Sequence, residues 1–259
     1  MDPLLTGTDY NTQFNAKLYL EECYTTPEGN PEEEGVLPFM LDGLHQVFTE
    51  GGVSGDRLID IGSGPCIYQF ISACTKFNEI VTSDYVEENR IAIKQWLGNE
   101  VGAFDWQPII QHVCEMEKRG DTTIARTNRI REVVKDVVRC DVLESNPLEP
   151  LTYPQFDCLL TCLCLEAACQ TKDQYMNALR NITGLLKSGG TIVQICEPIN
   201  YYSVGEKRFA GLMVDKEFVQ SALKKVGFTD LKCHQRQRSA VNVKDISYEF
   251  TMIITAKKK

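Results

Sequence analysis

Histidine is scarce in this sequence, an excess of basic charge is missing, and no apolar run approaches the length of a bilayer. His45, His112 and His234 are the only three histidines and lie far apart, with no Cys-x-x-Cys pair beside them. The ligand spacing of a zinc site is therefore lacking. Lysine and arginine total 27 against 36 acidic residues, a formal charge of −9. That balance argues against a nucleic-acid partner, because phosphate binding needs clustered cations. Lys257, Lys258 and Lys259 form the one basic cluster and read as a frayed, solvated tail. A membrane span needs roughly 18–20 consecutive apolar residues, and none occurs. Asp2, Asp9, Lys17 and Glu21 also exclude a signal-peptide apolar region. The expectation is a cytoplasmic protein that engages no membrane. Repeats, low-complexity tracts and Pro/Gly-rich linkers are missing too. Residues 1–259 therefore read as one domain, an extension over 1–54 preceding a core over 55–259.

Cysteine, by contrast, is abundant: eleven residues, an odd number with no secretory signal, which argues against a disulfide framework. Cys158, Cys162 and Cys164 fall in an apolar run where a strand would point all three the same way. Free cysteine behaves as a small buried hydrophobe.

Short strand-like runs alternate with longer helix-like ones, the pattern of an α/β fold on a mostly parallel sheet with helices on both faces. Leu37, Met40, Leu41, Leu44, Val47 and Phe48 recur at helical spacing. Arg57–Ile61 reads as a strand closed by Gly62-Ser63-Gly64-Pro65, and Glu79–Ser83 as a second ending at Asp84, with a helix over Val86–Leu97. Residues 115–129 are polar and without sustained period, a surface excursion. Val133–Val138 and Phe156–Leu165 are apolar; the second suits a central strand covered on both faces. Thr171 with Gln174 forms a capping-box pattern, and Ser188-Gly189-Gly190 stops that helix before a strand at Thr191–Ile195. A helix through Phe218–Val226 and strands near 229–234 and 247–256 follow.

The segment Asp60-Ile61-Gly62-Ser63-Gly64 ends a strand in a glycine turn, where backbone can approach a ligand closely. Asp84, twenty residues beyond Gly64, stands where a carboxylate can accept both hydroxyls of a ribose. Ile67 occupies the third glycine position of the dinucleotide fingerprint, which disfavours NAD. The pattern resembles the first motif of class I methyltransferases. Asp141, followed by Val142, stands at another strand end, where such enzymes carry an acid near adenine; a solvated loop carboxylate is an equal reading.

Taken together, Asp60–Pro65 with Ile67-Tyr68-Gln69, Asp84-Tyr85, Phe104-Asp105-Trp106, Cys140-Asp141-Val142, Leu165-Glu166-Ala167-Ala168-Cys169 and Tyr201-Tyr202 resemble the small-molecule amine N-methyltransferases. These are the enzymes acting on nicotinamide, indolethylamine and phenylethanolamine. The resemblance runs nearly end to end and implies a seven-stranded Rossmann-like sheet, a helical N-terminal lid and S-adenosylmethionine as cofactor. It implies Tyr19 and Tyr24 over the cofactor; Gly62, Ser63, Gly64 and Tyr68 at its methionine part; Asp84, Tyr85 and Asn89 at ribose and adenine; and Asp141 and Val142 at the adenine edge. Cys162, also in the cofactor set, replaces a threonine of the nicotinamide enzymes.

At the acceptor end Glu166 replaces an aspartate of the nicotinamide form, and Gly211 replaces a serine that helps to hold the carboxamide. A length difference before Tyr201 separates Glu197 from the acid it would match. These departures favour a tryptamine-like amine over nicotinamide, the close alternative. Glu166, Glu197 and Tyr19 are the expected catalytic residues, in a chain expected to act as a monomer on a small aromatic amine or pyridine. A rival of another class is a non-catalytic protein that binds S-adenosylmethionine.

Overall fold

The computed structural model describes residues 4–31, 35–237 and 250–259. Near the N-terminus lie α1 (Tyr10–Gln13), α2 (Ala16–Cys23) and α3 (Val36–His45), the last continued by a π turn over Gln46–Glu50. There follow β1 (Arg57–Ile61), α4 (Phe70–Ala73), β2 (Glu79–Asp84), α5 (Glu87–Leu97), α6 (Gln107–Glu117), α7 (Thr123–Val133), β3 (Val134–Arg139) and β4 (Phe156–Cys162). The chain continues through α8 (Leu165–Ala168), α9 (Lys172–Thr183), β5 (Leu186–Cys196), β6 (Tyr201–Val204), β7 (Lys207–Ala210), α10 (Lys216–Lys225), β8 (Phe228–Gln237) and β9 (Phe250–Lys258).

Seven strands form one sheet in the order β3-β2-β1-β4-β5-β9-β8, with β9 alone running against the rest; β6 and β7 form a separate hairpin. Strand alternation sends Leu58, Ile80, Leu160, Val193 and Ile253 into one core and Ile59, Val81, Leu159, Ile192 and Ile254 into the other. The first core is closed by α3 to α7, the second by α9 and α10. Gly43 lets α3 lie on the sheet: a Cβ there would stand 1.9 Å from Ile253 Cδ1. Among the described residues no helix is long and apolar enough to cross a membrane.

Four local readings are corrected. The polar stretch 115–129 is the end of α6, an exposed turn over 118–122 and the first seven residues of α7, so only its middle is a surface excursion. Its polarity hides an inward face: Arg126, 1% exposed, donates to Glu117 and Asp121 at 2.6 Å each and to the Ile71 carbonyl at 2.8 Å, while Ser72 donates to Glu117 at 2.6 Å. The apolar run from Phe156 leaves the sheet at Cys162, because Leu163 turns into the left-handed region (φ +54°). Cys158 and Cys162 thus share a face, whereas Cys164 packs against the opposite core. Helix α9 stops at Gly184, and β5 begins at Leu186; Ser188–Gly190 form an irregularity in the β4–β5 pairing. Its cap is half the expected box: Thr171 accepts Gln174 N, but Gln174 Oε1 accepts Gln170 N.

The C-terminal lysines are no frayed tail. Lys257 and Lys258 pair with β8, and Lys258 Nζ donates to the Thr183 and Leu186 carbonyls at 2.9 and 2.6 Å, capping the end of α9. Of the strand expected near 247–256, positions 247–249 lie outside the described residues.

Arg126→Met should leave the buried Glu117 carboxylate without its counter-ion. Removing one partner of a buried pair costs about 3–5 kcal/mol. Urea unfolding should show that loss, and Arg126→Met with Glu117→Leu should recover part of it; additive losses would mean the two charges do not act as a pair.

Candidate active site

Strand β1 lies at the switch point of the sheet: β2 and β3 extend from one side of it, β4 and β5 from the other. Crossovers leave such a point in opposite directions and open a crevice beyond the strand ends. A cavity of about 360 Å³ occupies that crevice. Its floor begins at Gly62, where the chain takes φ +72° and a Cβ would fall 2.2 Å from Cys164 Sγ, so the turn admits only glycine. Gly62 N and Ser63 N both donate to the Ser83 carbonyl, at 2.9 and 3.0 Å.

Asp84, 7% exposed, fixes the next part of the floor. Its Oδ1 accepts Val86 N at 2.8 Å and Asn89 Nδ2 at 2.9 Å, and its Oδ2 accepts Gly64 N at 2.7 Å. Burial pushes this carboxyl above its ordinary value, while those three donors and Arg90 pull it back. A carboxylate offers about four lone-pair sites, so one remains, on Oδ2. Asp141 is similarly committed: Oδ1 accepts Leu143 N at 3.1 Å and Oδ2 accepts Arg139 at 3.2 Å.

The roof comes from the N-terminal helices and the β6–β7 hairpin. Tyr24 stacks on Tyr68 (centroids 5.4 Å, 14°), and its hydroxyl lies 3.2 Å from that of Tyr19. Tyr202 donates to the Tyr10 hydroxyl at 3.1 Å. Leu5 pairs with the hairpin on both sides of Phe209, and Phe14, Ala16, Val204 and Phe209 make a small core apart from the two main ones.

All twelve residues expected at the cofactor line this one cavity: Tyr19, Tyr24, Gly62, Ser63, Gly64, Tyr68, Asp84, Tyr85, Asn89, Asp141, Val142 and Cys162. Glu166 and Glu197 do not. On α8, Cys164, Ala167 and Ala168 fall three and four residues apart and face the cavity, which turns Leu165 and Glu166 to the opposite side. The two acids meet one layer behind the wall. Glu166 Oε1 accepts Glu197 N at 2.9 Å, its Oε2 is buried without a partner, and Thr251 donates to Glu197 Oε1 at 2.5 Å. Burial pushes Glu166 up to about 7 against the pull of the main-chain N–H groups. Tyr10, Phe14, Leu163, Ala167, Ala168 and Tyr202, none of which the sequence reading assigned to the cofactor, are wall residues too. Helical spacing after Leu163 was the available signal for the α8 residues.

The family model for the NNMT/PNMT/TEMT family matches residues 2–259. Indolethylamine N-methyltransferase of Mus musculus is 42% identical over 229 residues, 88% of this chain and 87% of the relative. Nicotinamide N-methyltransferase of Homo sapiens is 41% identical over 232 residues, 88% of each chain. Among solved structures, the N-methyltransferase NodS of Bradyrhizobium japonicum, in complex with S-adenosylhomocysteine, shares the fold at a TM-score of 0.53 and 14% identity, over 95% of this chain and 99% of that one.

Because the roof has its own core, Phe209→Ala should loosen it selectively. Hydrogen exchange should rise through residues 4–24 and 201–210, with β1 and β4 little changed. Uniform loss of protection across the sheet would show that roof and sheet unfold as one unit.

Proposed function

The chain belongs to the NNMT/PNMT/TEMT family, and from that membership we infer that it methylates the nitrogen of a small aromatic amine of the tryptamine class, with S-adenosylmethionine as donor. The observation that carries this reading is the convergence of all twelve expected cofactor residues on one cavity at the switch point. The cavity suits the cofactor chemically. The Gly62–Gly64 turn leaves room beside backbone, Asp84 keeps one acceptor site for a ribose hydroxyl, and Tyr85, Asn89, Asp141 and Val142 flank the adenine side. Bound S-adenosylmethionine supplies an electrophilic methyl group on a sulfonium.

The chain's part is to hold, orient and neutralise. Tyr19, Tyr24 and Tyr68 present aromatic faces that favour a cation. Confining nitrogen and methyl in line can supply much of the rate, since oriented reactants reach effective molarities of about 10⁵–10⁸ M. An alkylamine must also enter as the free base. Glu166 lies behind the wall, so we assign it that proton by relay rather than by contact, and with Glu197 an electrostatic offset to the charge that develops on nitrogen. The catalytic role of both acids is thus indirect, while Tyr19 works from the wall itself.

Gly211 supports an arylalkylamine over nicotinamide. A Cβ there would lie 2.3 Å from Ile199 Cγ1, so packing excludes the serine expected of the nicotinamide form. The roof that completes the cavity belongs to this chain, which suits a monomer formed by residues 1–259 as one domain. Its eleven cysteines are all free, as in a reducing cytoplasm.

Rate against pH separates the two acceptors. With tryptamine, turnover should rise as the free amine appears, with a lower limb near pH 7 where Glu166 ionises. Glu166→Gln should remove that limb and slow tryptamine more than nicotinamide, whose ring nitrogen is already neutral. Equal, pH-independent losses would leave Glu166 with an electrostatic role alone.

A further inference from the structure

The segment Phe104-Asp105-Trp106 carries part of the resemblance yet has no part in the reaction above, and Trp106 does not line the cavity. Its place in the fold is nonetheless fixed. Asp105 Oδ1 accepts Gln107 N at 2.9 Å, the Trp106 carbonyl accepts Ile110 N at 3.0 Å, and Pro108 sits in the first turn of α6. The indole is 1% exposed, in the core closed by α3 to α7. Trp106 therefore belongs to the floor.

What it touches belongs to the roof. The indole is tilted against the Tyr24 ring (centroids 5.5 Å, 46°) and is itself met edge-on by Phe104 at 5.1 Å. Tyr24 follows the last residue of α2 and has two further aromatic neighbours, Tyr68 stacked at 5.4 Å and Tyr19 edge-on at 5.5 Å. Of the three, Tyr19 and Tyr68 line the cavity, as Tyr24 itself does, and Trp106 stands behind it. The Tyr24 hydroxyl lies 3.2 Å from that of Tyr19, so a shift of the Tyr24 ring disturbs both. Tyr68 is tied elsewhere, its hydroxyl donating to Met40 Sδ at 3.7 Å.

We propose that Trp106 is a positioning residue for the cofactor: from behind the wall it holds the Tyr24 ring, and through it the Tyr19 hydroxyl, where bound S-adenosylmethionine meets them. The proposal rests on the methyltransferase reading. Helix α2 has eight residues, too few to order its own end. Tyr24 leaves that helix at φ −131° and ψ 17°, so the direction of its ring is set by what packs against it. Tyr68 supplies one face, and the indole supplies the next. Aromatic pairs favour particular stacked and tilted placements, which an aliphatic side chain in the same space does not impose.

Trp106→Ala would open a cavity in the core, so the test uses Trp106→Leu and Trp106→Phe. In the ligand-free protein, Trp106→Leu should raise hydrogen exchange through residues 16–24 while β1 and β4 keep their protection. Unchanged exchange over 16–24 would overturn the brace. Calorimetry with S-adenosylhomocysteine should show Trp106→Leu binding about threefold to tenfold more weakly, the size of one aromatic contact, and Trp106→Phe close to wild type. Equal losses in the two variants would show that the ring is not what matters, and would overturn the proposal. A double-mutant cycle with Tyr24→Leu is the sharpest measurement. If Trp106 acts through Tyr24, its replacement by leucine weakens binding no further once the Tyr24 ring is gone; additive losses would sink the assignment. Wild-type protein that bound no S-adenosylhomocysteine would refute the cofactor reading and the role given to Trp106 with it, while the exchange result still decides whether Trp106 holds Tyr24.

Discussion

The Asp84 carboxylate holds donors from the glycine turn, from the loop after β2 and from the first turns of α5, and the cavity floor depends on it. An anion removed from water needs several donors at once, and each donor buried with it needs that anion. Arg90 donates to the main-chain carbonyls of Asp84 and Tyr85 and keeps positive charge close by. The same carboxylate thus places Gly64 and Asn89 and starts a helix. Asp84 therefore holds the floor together while still lining the cavity.

The roof obeys a different constraint. Its helices are too short to be stable alone, and they reach order by burying Phe14 and Ala16 against Val204 and Phe209 of the hairpin. What joins this roof to the floor is largely aromatic, with Tyr24 stacked on Tyr68 and tilted against Trp106. A roof with its own core can part from the floor without unfolding the sheet.

Around this cavity the interior acids differ by their donors. Asp84 has three N–H groups and a nearby arginine, Glu166 has main-chain N–H groups on one oxygen only, and Asp60 has the Thr82 hydroxyl and the Gln69 side chain. Burial raises all three, and least is offset where donors are fewest. For Glu166 and Asp60 the sign is definite. The folded chain keeps a proton that the unfolded chain has released, so their contribution to stability is full below the ordinary carboxylate range and is lost as pH climbs towards 7–8.

The glycine turn, the acid twenty residues on and the end-to-end resemblance were legible because each depends on local chain: strand alternation, a turn only glycine can make, a short carboxylate at a strand end. Those features set the fold and assembled one wall of the cavity, from Gly62 to Val142. The inward side of α7 was not legible, because the partners that allow Arg126 to be buried lie in other elements. Nor was the orientation of Glu166, which depends on Leu163 leaving the strand and α8 turning the next residues by 100° each. The sequence by itself determined which residues meet at the switch point. Only the tertiary structure decided which carboxylates face the cavity and which lie behind it, since that choice is made by burial and by donors contributed from distant segments.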